Sequence, residues 1–526
     1  MSGGHSGSID IEAGTKDAAG SITLGDGYIL LAGDESGSPL SFTVNGEGTA
    51  DSVVVNSSIV ASGAGTTADL SLSGSQSSFS GSAEAANGAA IRLNVKGALD
   101  ENKKPTGTIS GSMTALNGGS VTVTASDTDA SGAVFMAGPG GSVTVNLTGN
   151  SIQNLGTSDI AYVYGKGSEF KETAGAGTAI TGNLMGLCGS HTEFQSDGEW
   201  TGYADLSSLR VISFLSEEVK TTGNTPLASS MSIISNGSWT GDAQVFFPDE
   251  TATENSESPY YGLVPADAVL SVTSNGTWDG NAGASGRGTR LDITIGEQKA
   301  ADAEQPSAVW TGDTYAHDKG TAKILVNGQW TGELRAEGLS DSTVTVNQGG
   351  VWRYAKQNTY VQAAAVSLMS LSESDGYTTL SLDLESEADS DSDSDSASAH
   401  SSVAPLLTVV YPQQLAPVTA NITGGSHAAV TVDGNWYGSA VLSDSSAMEV
   451  TIGKSGAWTY AAPDATGSGG YITTMAAVSA TGSSYIPIFY SSGEGGMGTA
   501  GVTGGSTMAV TVDGTWTGSA MVSYWD

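Results

Sequence analysis

The chain has 526 residues, of which 73 are Gly and 14% are charged, and 55 acidic against 18 basic residues leave a formal net charge of −37. A field of that sign repels nucleic acid and anionic membrane surfaces, so neither is expected as a partner. Glycine without a Gly-X-Y period excludes collagen, and recurrent short alternating runs of Val, Ile, Leu and Thr exclude a wholly disordered chain.

The N-terminal stretch Met1-Ser2-Gly3-Gly4-His5 has neither the basic nor the apolar region of an export leader. If the protein is exported, the expectation is a piece of a longer precursor. Gly33-Asp34-Glu35-Ser36-Gly37 resembles the nucleophile loop of chymotrypsin-like serine proteases. The inserted Glu35 breaks the spacing that an oxyanion hole needs, and only His5 precedes it as a base, so a turn is expected there. Next, Phe42-Thr43-Val44-Asn45-Gly46-Glu47-Gly48 reads as a strand and corner with Gly48 where later repeats carry Trp. Gly118-Gly119-Ser120-Val121-Thr122-Val123 returns one period on as Gly140-Gly141-Ser142-Val143-Thr144-Val145. Residues 1–190 are therefore expected to form slimmer, Trp-free coils. Cys188 is the single cysteine, which rules out an intramolecular disulfide and reads as a small buried apolar residue.

From 191 to 526 the rhythm becomes explicit. Eight of the ten tryptophans stand in Gly-x-Trp, namely Trp200, Trp239, Trp278, Trp330, Trp352, Trp436, Trp458 and Trp516, and most continue as Trp-x-Gly. The stretch from Gly424 to Ala440 recurs from Gly504 to Ala520. The short intervals, Trp310 to Trp330 and Trp330 to Trp352, read as one unit of about 20 residues. The longer ones, Trp200 to Trp239 and Trp239 to Trp278, read as that unit doubled. Such a period suits one coil of a parallel β-helix. At one coil per unit the rod would hold roughly 26 coils and reach about 120 Å, less whatever insertions remove.

Side-chain phase places the tryptophans. Val430, Val432, Gly434, Trp436, Gly438 and Ala440 share one parity, and Thr431, Asp433, Asn435, Tyr437 and Ser439 the other. Period two is strand, with the indoles on the apolar side. The alternating run is too long for one face, so Asp433-Gly434 is expected to turn a corner, its glycine taking positive φ. Asn-Gly and Asp-Gly between alternating runs are also hairpin signals, and an antiparallel sandwich stays open as the alternative. The rhythm breaks in an acidic Ser/Asp loop near 385–402, centred on Asp389 to Ser396, and more briefly at 251–259, 297–305 and 465–470. Candidate helices are scarce; the best apolar run is Tyr360 to Leu371.

At Asn236-Gly237-Ser238-Trp239-Thr240-Gly241-Asp242-Ala243, Asn275-Gly276-Thr277-Trp278-Asp279-Gly280 and Asp513-Gly514-Thr515-Trp516-Thr517-Gly518-Ser519-Ala520 the chain resembles the pertactin-like passenger domains of Gram-negative type V autotransporters. The resemblance covers residues 196–526. It implies an all-β, single-stranded right-handed parallel β-helix at the cell surface or outside the cell, commonly an adhesin, self-association or virulence factor. It also implies a C-terminal membrane barrel, the only route to the outer membrane. Because an uncapped last coil exposes unpaired strand edges, the native chain is expected to continue past Asp526 or to have that end covered by another chain.

Chemistry is sparse by comparison. Polygalacturonase-like β-helices need clustered aspartates, and this sequence has no Asp-Asp pair. Lyase-type β-helices need calcium-binding carboxylates and a basic side chain, yet arginines are few, and Arg287 and Arg290 sit in a Gly-rich stretch. His191, His317, His400 and His427 have no metal-ligand spacing. No catalytic, cofactor-binding or metal-binding residue and no cofactor is expected. The expected role is a non-catalytic adhesin or self-associating structural factor, with a polysaccharide hydrolase or lyase as the alternative. The expected partners are a surface glycan or protein of a host or neighbouring cell, or a second copy, met through outward residues such as Tyr437.

Overall fold

A computed structural model describes residues 7–12, 21–33, 40–46, 52–74, 76–187, 189–207, 228–247, 267–297, 308–354, 418–459, 498–502, 506–517 and 519–522. Its described elements are strands, and the pairings between successive coils are all parallel. The chain is an all-β parallel β-helix. One face is a 16-stranded sheet running from Gly7–Glu12 to Thr507–Val512. At about 4.8 Å per step, its strands make a stack of about 72 Å.

One coil shows how the sequence makes the shape. Thr321–Val326 lies in the long sheet, Asn327-Gly328 turns a corner, and Gln329–Thr331 forms a short strand carrying Trp330. Gly332-Glu333 turns again, Leu334–Ala336 forms the third side, and the next long-sheet strand begins at Asp341 beside Thr321. The expected corner at Asp433-Gly434 is present between His427–Val432 and Asn435–Tyr437. Gly438 makes a second one, after which Ser439 and Ala440 are both buried.

The register corrects the reading of the long intervals. Trp200 pairs directly with Trp239, and Trp239 with Trp278, so each of these intervals is one coil plus an insertion rather than two coils. Trp352 pairs with Trp436 in the same way across 355–417. The rungs of the 16-stranded sheet replace the roughly 26 of uninterrupted spacing. Cys188, the acidic loop 385–402, Tyr360 to Leu371, and the stretches 251–259, 298–305 and 465–470 lie outside the described residues.

Inside, eight indoles from Trp200 to Trp458 are at most 1% exposed and stack with ring centroids 4.1–5.1 Å apart and planes within 13°. Each indole removes roughly 200 Å² from water, worth about 5 kcal/mol. A buried indole N–H left unpaired would cost about 1–3 kcal/mol. Here the glycine two residues after each Trp meets that need in the following rung. Trp239 Nε1 donates to Gly202 O (3.0 Å), Trp278 to Gly241 O (2.9 Å), Trp310 to Gly280 O (2.8 Å) and Trp330 to Gly312 O (2.9 Å). Where Tyr354 replaces the glycine after Trp352, Trp436 donates to Thr419 Oγ1 instead, at 2.7 Å. These glycines have φ of +143° at Gly241 and +153° at Gly312. A Cβ on Gly312 would stand 1.8 Å from Gly280 O.

The glycine before each Trp works differently from expectation. Positive φ is absent at Gly237, Gly276 and Gly434. Ala308 fills the equivalent place before Trp310, but a Cβ on Gly276 would meet Gly237 O at 1.9 Å, which excludes a larger residue at that position. Its neighbours form a corner ladder: Asn236 Nδ2 donates to Asp197 Oδ1 (2.6 Å) and Asn275 Nδ2 to Asn236 Oδ1 (2.8 Å).

Toward the N-terminus the same interior column holds Leu24, Val55 and Phe79, and nearer the tryptophans Gln153 and Ile180, the last paired with Trp200. Val55 thus holds the Trp position of its rung, and Gly48 lies outside the described residues. Gln153 is fully buried with neither amide atom hydrogen-bonded. Glu172, between Val145 and Phe194 in register, is 1% exposed with both oxygens unpaired. Burial pushes its carboxyl up to about 8.

Two consequences are measurable. Gly312→Ala should destabilise its rung by roughly 1–3 kcal/mol through overpacking, and Trp310→Ala by about 3–5 kcal/mol; amide exchange in residues 309–331 reads both, since a repeat array need not unfold as one unit. For Glu172, the unfolded chain releases the proton near 4.5 and the folded chain near 8, so the folded state binds more protons between those values. Stability from this group is complete below 4.5 and declines as pH rises to 8. Glu172→Gln should remove that part of the slope in melting temperature measured from pH 4.5 to 8.

Candidate functional site

With the interior filled, chemistry must come from outward side chains. On the third side these form columns, one residue per rung. In one column Asp205, Gln244, Gly283, Tyr315 and Arg335 follow each other in register. Two residues further along each strand run Ser207, Phe246, Ser285 and His317.

Among the rungs that follow Trp200, Trp239, Trp278, Trp310 and Trp330, one is low on this face. Ala282–Ser285 presents Gly283 and Ser285 between Gln244 and Phe246 on one side and Tyr315 and His317 on the other. The result is an open trough of about 290 Å³ crossing the rod, with Asp242 and Asn281 at one end. A Cβ on Gly283 would find nothing closer than 3.8 Å, so this glycine is not demanded by backbone packing. Three positions earlier in the same rung, a Cβ on Gly280 would lie 2.0 Å from Gly241 O.

The trough walls are held by hydrogen bonds from neighbouring rungs. Gln244 Nε2 donates to Asp205 Oδ2 at 3.1 Å. Along the corner, Asn281 N donates to Asp242 Oδ1 (2.6 Å), Asp313 N to Asn281 Oδ1 (2.9 Å) and Glu333 N to Asp313 Oδ1 (2.9 Å). Arg335 bonds Glu333 at 2.9 Å and lies 5.4 Å from the Tyr315 ring centroid, backing that ring from the next rung. Burial raises the Asp205 carboxyl, against the hydrogen bond from Gln244. Burial and then the Asp313 charge raise the Tyr315 hydroxyl, so the phenol stays protonated at neutral pH.

The residues weighed in the sequence fall elsewhere, except His317 in the trough wall, which contacts Asp318 at 2.7 Å. His191 pairs with Ser230 and Glu193, and His427 with Asp341 at 3.0 Å. Arg290 is bound to Asp292. Tyr437 is half-buried on the tryptophan side, in register between Arg353 and Thr459. Among the described residues no three His, Cys, Asp or Glu side chains are grouped to hold a metal. Of Gly33 to Leu40, residues 34–39 lie outside the described residues, as do His5 and His400.

Sequence reasoning missed the trough because its walls come from three separate segments of the chain, each a full coil from the next. A signal existed. Gln244, Gly283, Tyr315 and Arg335 each stand five positions after a tryptophan, and Phe246, Ser285 and His317 seven after. Aligning every Trp as a neighbouring rung exposes the low one.

No protein-family model matches this chain, and no curated protein does. Among solved structures it is similar to the crystal structure of a TibC-catalysed hyper-glycosylated TibA fragment, at 13% identity and a TM-score of 0.22, covering 84% of this chain and 94% of that one.

The two glycines of the low rung should behave oppositely. Gly283→Ala is expected to change stability by no more than about 0.5 kcal/mol, whereas Gly280→Ala should lose roughly 1–3 kcal/mol. Amide exchange in residues 268–295 distinguishes them.

Proposed function

We propose that this chain is a non-catalytic, surface-displayed or secreted β-helical passenger of the autotransporter kind, acting as an adhesin. The trough on the third side carries this reading. It joins aromatic walls to polar groups on a rigid rod whose interior is occupied by structure. The Gly-x-Trp-x-Gly rungs that resemble autotransporter passengers support the address outside the cell. Strong negative charge keeps such a rod soluble and its partners non-anionic.

The reading is tested by adding the purified chain to cultured epithelial cells, to bacterial cells and to immobilised matrix proteins. Saturable binding to one of these, with the soluble chain monomeric in sedimentation, is expected. Absence of binding to all of them, or concentration-dependent fibres of the chain alone, would overturn adhesion, the latter in favour of self-association.

A further inference from the structure

We infer that the trough over Ala282–Ser285 is a binding site for one neutral pyranose ring of a glycan. This rests on the adhesive reading and names its ligand.

Size comes first. The trough's volume of about 290 Å³ lies just below the roughly 300–1,000 Å³ of sites that enclose drug-sized ligands. One ring fits between walls two rungs apart, about 9.6 Å from backbone to backbone. The length of a glycan would continue into solvent at the open side.

The surface offered points the same way. A pyranose has apolar C–H faces and a rim of hydroxyls, each both donor and acceptor. The walls match that division. Phe246, 37% exposed, and Tyr315 supply apolar ring surface, and Arg335 behind Tyr315 holds that ring in place. Gln244 and Asn281 are each fixed through one amide atom by protein hydrogen bonds. That leaves Gln244 Oε1 to accept and Asn281 Nδ2 to donate, with the Ser285 hydroxyl able to do either. Alternating donors and acceptors suit hydroxyls; an organic cation would leave the donors unused.

Charge narrows the ligand further. Asp242 stands at the trough's end, and the chain carries −37 overall. The nearby cation, Arg335, is already shared between Glu333 at 2.9 Å and Asp313 at 3.8 Å. Uronic and sialic acids would meet uncompensated carboxylates. A neutral hexose meets none of that repulsion.

The experiment uses the full chain and methyl glycosides of glucose, galactose, mannose and N-acetylglucosamine, with methyl glucuronide as the anionic control. Ligand-observed NMR should show millimolar binding of at least one neutral glycoside and none of the glucuronide. Gly283→Leu, which fills the trough where space is open, should weaken that binding at least tenfold, and Tyr315→Ala should do likewise. Tryptophan fluorescence and circular dichroism of both variants should match the parent chain, which separates loss of the site from loss of fold. If no neutral glycoside binds, or if both folded variants bind as the parent does, the inference is overturned. Cell binding that survives both variants also overturns it while leaving adhesion standing. Glycoside binding at the trough without binding to any cell or matrix would uphold the site and sink the adhesive reading.

Discussion

The bond from each buried indole N–H to an acceptor one rung away, a glycine carbonyl for every stacked Trp but Trp436, is the constraint on which the tryptophan rungs depend. A stack of tryptophans alone would bury area but leave a row of unpaired donors in a dry interior. Turning the chain at Trp+2 aims one carbonyl per coil inward. At Gly202, Gly241, Gly280 and Gly312 only glycine can stand there, since a Cβ would collide with the carbonyl of the previous rung. Burial, hydrogen bonding and backbone approach are thus satisfied by one short motif. The Thr419 hydroxyl that serves Trp436 shows the requirement is for an acceptor, not for glycine as such.

The same ladder explains how long insertions are tolerated. They occur at all three corners: 208–227 and 248–266 follow third-side strands, 298–307 follows a long-sheet strand, and 355–417 and 460–497 follow tryptophan strands. Closing even a fully flexible connection costs little more when it is long; going from about 10 to about 60 residues adds about 1.5 kcal/mol. Each indole returned to the stack contributes about 5 kcal/mol. Register therefore survives, and Trp352 meets Trp436 with planes 4° apart across the longest of these insertions. The N-terminal rungs have no such stack, and Gln153 and Glu172 are among the polar side chains that stand buried and unpaired there.

Much of the fold was legible because it is written locally. Period two around Val430 and Trp436, the corner at Asp433-Gly434 and the inward indoles all follow from near neighbours along the chain. Rung count was not legible, because the spacing from Trp200 to Trp239 is close to twice that from Trp310 to Trp330, and composition alone does not tell a second coil from an insertion. The role of the corner glycines was misread for a related reason. Positive φ is a property of one residue, whereas the demand on Gly276 comes from Gly237 O, a full coil away. The interior column of the first rungs was hidden in the same way, since only the pairing of Val55 with Phe79 identifies it.

The trough shows why outward residues were the hardest to read. Inward positions repeat because each must match the rung above and below, so the pattern announces itself. Outward positions carry no such demand, and their variation looks like noise along the sequence. In space it is a profile: Asp205, Gln244, Gly283, Tyr315 and Arg335 rise and fall along one column. Gly283 is informative because packing does not require it, in contrast to Gly280 three positions before. A glycine forced by a neighbouring carbonyl speaks of the fold, while one with open space above it, flanked by large side chains, speaks of what the surface leaves room for.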